Sequence, residues 1–160
     1  MSRHASVKAY LSLGSNVGDR AAHLAAGVDL VAAGEPVRVS RVYETEPVGG
    51  VAQDDFWNLV IELETDARPR ELLERARRAE AARRRERDVR WGPRTLDVDV
   101  LLVGDLRSDD PEITVPHPRM FERLFVLAPL AELAPGLVSA AQLERAVGRV
   151  APIGTLESLR

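Results

Sequence analysis

The chain contains no cysteine, which removes disulfide frameworks, thiolate nucleophiles and cysteine-based metal sites. Lysine is nearly absent as well: of 22 basic residues only Lys8 is a lysine, and the rest are arginine. Aromatic residues make up 4% of the sequence, and the Lys/Arg-Gly-aromatic pattern of an RNA-binding sheet is missing. No apolar run approaches the roughly 20 residues of a membrane span, and the start "MSRHASVKAY" lacks a signal-peptide apolar stretch. The expectation is a cytoplasmic protein with no membrane and no nucleic-acid partner. Glycine-rich phosphate motifs are missing too. There is no Gly-x-x-x-x-Gly-Lys-Ser/Thr, and "GSNVGD" does not fit Gly-x-Gly-x-x-Gly. Any nucleotide has to be held by side chains and metal.

What is present is the composition of a soluble globular protein, 45% apolar and 29% charged. A length of 160 residues suits one domain over 1–160, able to bury roughly 68–70% of its unfolded surface. No repeat, linker or composition break marks a second domain. The net charge of −3 argues against a general polyanion binder, yet eleven arginines fall between Arg68 and Arg94. Much of that run reads as a solvated helix face, because Glu71 with Arg75, Glu74 with Arg78 and Glu80 with Arg84 stand at i,i+4. The arginines nearest Trp91 have weaker claims to such partners and are candidates for phosphate.

Turn signals and periodicity divide the chain. "VKAYLSLGS" reads as a strand ended by Gly14-Ser15-Asn16, and a helix follows from about Asp19, with Leu24, Val28 and Val31 at helical spacing and Gly34 as its stop. "VRVSRVYETEP" alternates as one strand up to Pro47. A glycine-rich loop leads to the strand "FWNLVIELET", then a helix of roughly 20 residues from Arg68. "TLDVDVLLV" is the next strand, followed by a loop from Asp105 to Pro118, a helix beginning near Arg119, and a short helix in "SAAQLERAV". The tail beyond gives no signal. The order β-α-β-β-α-β with C-terminal helices predicts an α+β fold, a ferredoxin-like sheet with helices packed on it.

The chemistry concentrates in "RWGPRTLDVDVLLV". Side chains two apart on a strand share a face, so Asp97 and Asp99 point the same way, roughly 6–7 Å apart, while Leu96, Val98 and Val100 enter the core. Adjacent carboxylates repel and lack β-propensity, so either the strand shows two acids to water at an edge or a dication bridges them. Hard oxygen donors with no His or Cys nearby favour Mg²⁺. Trp91-Gly92-Pro93-Arg94 places a guanidinium just before the acids, and arginine and magnesium both match phosphate oxygens. On "FWNLV", Phe56 and Asn58 share a face, an aromatic plane beside an amide that suits a flat heterocycle as well as a packed core. "TVPHPRMFERLF" contributes His117, Arg123 and Phe125. His4 and His23 read as incidental.

Together "AYLSLGSNVGDR", "YETEPVGGVAQDDFWN", "RWGPRTLDVDVLLV" and "VPHPRMFERLFVLAPLAELAP" resemble the 6-hydroxymethyl-7,8-dihydropterin pyrophosphokinases of the folate pathway, over about Ala9 to Pro135. The resemblance implies transfer of pyrophosphate from ATP to the pterin hydroxymethyl group, with AMP released. It implies two Mg²⁺ ions on Asp97 and Asp99, with Arg94 and Arg85 on the triphosphate oxygens and ATP as co-substrate. His117 and Arg123 would reach the nucleotide, and Glu80 matches a nucleotide-side acid. Phe56 and Phe125 would sandwich the pterin, Asn58 and Thr45 would bond its edge, Trp91 would help close the site, and Val48 belongs to the pterin-side loop. Where the family has Gly-Arg this chain has Arg84-Arg85, so Arg83, Arg84, Arg85 and Arg87 compete for the loop role. The segments around Gly49-Gly50 and around Arg85–Gly92 are expected to close over the substrates, and a monomer is expected. Two other classes fit parts of the pattern: an RNA-binding module, and a two-metal phosphohydrolase using the same aspartates.

Overall fold

The apolar alternation of "VKAYLSLGS" forms β1, Val7–Ser15, whose last seven residues are all buried, as a central strand requires. In this computed structural model, residues 5–46, 53–83 and 95–160 are described. Helix α1 spans Arg20–Ala32. Asp19 caps it, its carboxylate accepting from the Ala22 N–H at 3.0 Å. The helix ends where Ala33 (φ 49°) and Gly34 (φ 83°) turn left-handed, the predicted stop.

The single strand expected over "VRVSRVYETEP" is divided into β2, Val37–Val39, and β3, Val42–Thr45. The break is at Ser40. Its hydroxyl oxygen accepts from the Val60 N–H at 3.0 Å, and its own N–H donates to the Val60 carbonyl at 3.0 Å. Strand β4 is Phe56–Thr65, α2 is Pro69–Arg83, and β5 is Asp97–Val103. Proline opens α2 at the position where its missing N–H costs nothing. The helix expected near Arg119 starts as a 3-10 turn at Met120–Glu122 and becomes α3 only at Leu124–Leu133. Then come α4, Ala140–Arg145, opened by a reciprocal Ser139–Gln142 capping box, β6, Val150–Gly154, and α5, Leu156–Leu159. Both β6 and α5 lie in the tail that had given no signal.

The result is a mixed α+β fold with an antiparallel sheet in the order β5-β1-β4-β3-β6, and β2 on the far end of β4. One sheet face is largely apolar. Leu11, Leu13, Leu59, Ile61, Leu63, Val98 and Val100 pack there against Leu24, Val28 and Val31 of α1 and Leu72, Ala76 and Ala79 of α2. Each leucine buried this way contributes about 1.5–3 kcal/mol. The other face is covered only in part: Tyr10, Val60 and Leu101 meet Met120 and, from α3, Val126, Leu127 and Leu130. Gly14, Phe56 and Asp97 are not part of that cluster. Among the described residues no helix is long and apolar enough to cross a membrane.

Candidate active site

Strand register assembles the site. Gly14 of β1 stands between Asp97 on β5 and Asn58 on β4, and Ser12 stands between Asp99 and Val60. Tyr43 lies opposite Asn58, and Thr45 opposite Phe56. Side chains paired across strands share a face, so both aspartates, Asn58 and Tyr43 lie on the partly covered side. The predicted alternation holds: Asp97 and Asp99 are half-buried, while Leu96, Val98 and Val100 are 4%, 6% and 4% exposed.

On β4, the Asn58 amide is buried and its Nδ2 donates to the Thr45 hydroxyl at 2.8 Å. One amide N–H and the Oδ1 acceptor are left over for another partner. Phe56 is half-buried beside it. Trp57 takes the opposite face, joins the core under α1, and donates from Nε1 to Glu44 Oε2 at 3.1 Å. On the other side, the Arg123 guanidinium sits 5.6 Å from the centroid of Phe125 at the start of α3. Helix α3 packs on β4, which is how Phe125 and Arg123 come to border the same open face.

His117 lies on the Asp99 side. Its backbone N–H donates to the Leu101 carbonyl at 2.9 Å, and its Nδ1 accepts from the Arg119 N–H at 3.1 Å. Burial pushes its pKa below the ordinary value and the Arg123 and Arg119 charges push the same way, against an upward pull from Asp99. The ring is therefore neutral at pH 7, and with Nδ1 accepting, the proton sits on Nε2 as a donor. A cavity of about 190 Å³ touches Asp99, His117, Thr114 and Leu73. A larger one of about 570 Å³ opens at the opposite end of β1, around Lys8, Tyr10 and Arg107. It holds neither aspartate of the pair, so chemistry and not size locates the site.

Glu80 reaches this region from α2. Its Oε2 accepts from the Val98 N–H at 3.0 Å, on the outer edge of β5 between the two aspartates. The helix-surface pair expected with Arg84 lies partly outside the described residues, as do the positions of Val48, Arg85, Trp91 and Arg94 and the two segments expected to close. Of the other expected pairs, Glu74–Arg78 forms at 3.9 Å. Arg75 instead turns to Glu35 at 2.5 Å and to the Val31 carbonyl, tying α2 to the end of α1.

Several contacts were missed in the sequence. His23 is no incidental helix residue: it is 7% exposed, and its Nδ1 accepts from Arg83 Nε at 3.0 Å. Asn16 donates to Gln53 Oε1 and the Asp54 carbonyl. Arg20 lies 4.2 Å from the Trp57 ring centroid and donates to the Asp55 carbonyl. Asn16 and Arg20 thus grip the segment leading into β4. The only available signal was the polar composition after "LGSN".

A family profile described as 7,8-dihydro-6-hydroxymethylpterin-pyrophosphokinase (HPPK) matches residues 10–135. Over 128 residues the chain is 49% identical to the 2-amino-4-hydroxy-6-hydroxymethyldihydropteridine pyrophosphokinase of Bacillus subtilis, covering 78% of this chain and 77% of that protein. The enzyme of the same name from Methylorubrum extorquens is 44% identical over 151 residues, 92% of this chain and 96% of the relative. That of Pseudomonas aeruginosa is 41% identical over 133 residues, 81% and 82% of the two chains.

Proposed function

We propose, from the premise that the chain belongs to the 7,8-dihydro-6-hydroxymethylpterin-pyrophosphokinase family, that its open sheet face carries out the family's reaction. The chain is a pyrophosphokinase of folate biosynthesis: pyrophosphate passes from ATP to the hydroxymethyl group of 6-hydroxymethyl-7,8-dihydropterin, and AMP leaves. The observation that carries the residue assignment is the register. In that register Asp97 and Asp99 stand on one side of Gly14 and Ser12, and Asn58 with its bonded Thr45 on the other, which supports a metal role for the first pair and a heterocycle role for the second.

Asp97 and Asp99 are assigned as ligands of two Mg²⁺ ions. The donor set fits: two half-buried carboxylates on one face, with no third His, Cys, Asp or Glu completing a cage among the described residues. Such a site leaves coordination positions for water and phosphate oxygens, the arrangement magnesium favours. What the metal supplies there is neutralisation of charge on the triphosphate and on the departing AMP.

The remaining work is positioning, as expected for phosphoryl-type transfer. Arg94 and Arg85 are assigned to the triphosphate oxygens. His117, donating from Nε2, and Arg123 are assigned to the nucleotide, and Glu80 holds the β5 edge beside it. Phe56 and Phe125 stack on the pterin, Asn58 and Thr45 bond its edge, Val48 belongs to its loop, and Trp91 helps exclude water. The hydroxymethyl oxygen then attacks the β-phosphorus in line with the leaving AMP. We further read the core as ferredoxin-like, residues 1–160 as a single domain, and the protein as a cytoplasmic monomer with no nucleic-acid partner.

Incubation with ATP, Mg²⁺ and 6-hydroxymethyl-7,8-dihydropterin should release AMP in step with pterin diphosphate. Phosphate or pyrophosphate release from ATP at the same rate without the pterin would instead establish a hydrolase.

A further inference from the structure

Gly14 occupies the middle of the site and has no role in the assignment above. Its backbone is not in the left-handed region that would demand glycine, so space and not conformation explains the residue. A Cβ at Gly14 would stand 2.5 Å from Asn58 Oδ1 and 3.6 Å from both Asn58 Cγ and Phe56 Cδ1. The first distance is far inside van der Waals contact. Asn58 has little room to retreat, because it is 7% exposed and its Nδ2 is held by Thr45, itself 6% exposed, at 2.8 Å. The amide and ring assigned to the pterin thus lie directly over the bare backbone of β1.

We propose that Gly14 is a positioning residue for the pterin, its missing Cβ setting the depth at which the Asn58 amide and the Phe56 ring lie and so the shape of the heterocycle slot. This rests on the assignment of Asn58 and Phe56 to the pterin. A methyl group at position 14 would push Oδ1 off the sheet, break the Thr45 bond or twist the amide, and leave the heterocycle edge mismatched. On the nucleotide side Asp97 stands opposite Gly14 on β5, but the three atoms nearest an added Cβ all belong to Asn58 and Phe56, so the collision falls on the pterin side.

The test is a double-substitution cycle with Gly14→Ala and Asn58→Ala, reading KM for each substrate, kcat and the melting temperature without ligands. Gly14→Ala should raise the pterin KM by about 10- to 100-fold, the range of a mispaired buried polar group, and leave the ATP KM within about twofold. In the Asn58→Ala background the same change should add less than about twofold, because the atom it collides with is gone. An unchanged pterin KM in Gly14→Ala, or an undiminished penalty in the double variant, overturns the inference while the pterin assignment stands. An unchanged pterin KM in Asn58→Ala overturns that assignment and the inference with it. If Gly14→Ala fails to fold, the double variant should fold; failure of both makes Gly14 a purely structural glycine and refutes the proposal.

Discussion

Asp99→Asn separates a functional carboxylate pair from a structural one, because the two roles give opposite signs for activity and stability. Asp97 and Asp99 are two residues apart on β5, so their carboxylates are about 6.6 Å apart at the strand rise of roughly 3.3 Å. Coulomb's law at that distance gives roughly 0.6 kcal/mol of repulsion in bulk water and about 2.5 kcal/mol at an effective dielectric near 20, an upper bound that solvent screening of half-exposed groups lowers. The amide removes that repulsion. His117, kept neutral at pH 7 by burial, offers little attraction to set against that relief. The metal-free variant should therefore be as stable as the parent or up to about 1 kcal/mol more stable, a rise of roughly 2–4 °C in melting temperature for a chain this size. Turnover should fall by about a thousandfold or more, some 4 kcal/mol of lost transition-state stabilisation. The assay pairs a thermal melt in chelator with Mg²⁺-dependent AMP release. Loss of several kcal/mol in the metal-free melt, or turnover within tenfold of the parent, would refute the metal-clamp reasoning.

Asn58→Ala should weaken pterin binding by about 1–3 kcal/mol with ATP affinity nearly unchanged, measured by titration calorimetry; equal weakening of both ligands would make Asn58 a fold residue. Arg94→Ala should cut turnover with little change in melting temperature, whereas Arg77→Ala should change neither, since its contact with Glu112 at 3.6 Å joins two exposed side chains. In a scan of Arg83, Arg84, Arg85 and Arg87, Arg83→Ala should cost stability through its bond to His23, and one of the other three should cost turnover. Glu132 supplies a pH test. Burial raises its pKa, but the Arg41 N–H, the Tyr43 hydroxyl and the Arg41 guanidinium outweigh burial and hold it below 4.5. A depressed carboxylate stabilises the fold above its unfolded pKa and loses that contribution as pH falls through the folded value. Glu132→Gln should therefore be less stable than the parent at pH 7, and the difference should shrink below about pH 4.5 in melts across pH.

Local chemistry was legible where it was self-sufficient. Strands β1 and β4 match their expected bounds because an apolar run between turn signals admits few other readings. Asp97 and Asp99 were readable for a similar reason: a period of two fixes their common face without knowledge of any partner. What escaped depends on distant partners. The Ser40 break is invisible in an alternating run, since only Val60, on the next strand, gives its hydroxyl and N–H something to bond. The local pair Glu71–Arg75 lost to Glu35, 40 positions away. Strand β6 contains Pro152 and Gly154, which read as turn residues. It pairs with β3 at the sheet edge, one of the places where a strand proline is tolerated. His23 is tied into the fold by Arg83, 60 positions on.

The partial cover of one sheet face explains why the site is where it is. A sheet that buried both faces would have no place for two aspartates and an asparagine at its centre; one that left a whole face bare would lose the contribution of Leu127 and Leu130, both fully buried. Helix α3 resolves the conflict by packing on only part of the face, and polar groups fasten its far end. Arg38 donates to the Leu133 carbonyl, and Glu132 accepts from the Arg41 N–H and the Tyr43 hydroxyl. These bonds hold the C-terminal turn of α3 against β2 and β3, while Phe125 of its first turn packs on the cluster that includes Val60 of β4. A second network beneath it, the Tyr10 hydroxyl on Glu62 and Glu62 on Arg38, satisfies the carboxylate that this packing buries. The position proposed for Phe125 beside the pterin is thus tied to contacts about two helical turns from it. Changes at Glu132 or Arg38 should reach the pterin only through the tilt of α3, whereas changes at Gly14 act on the slot directly.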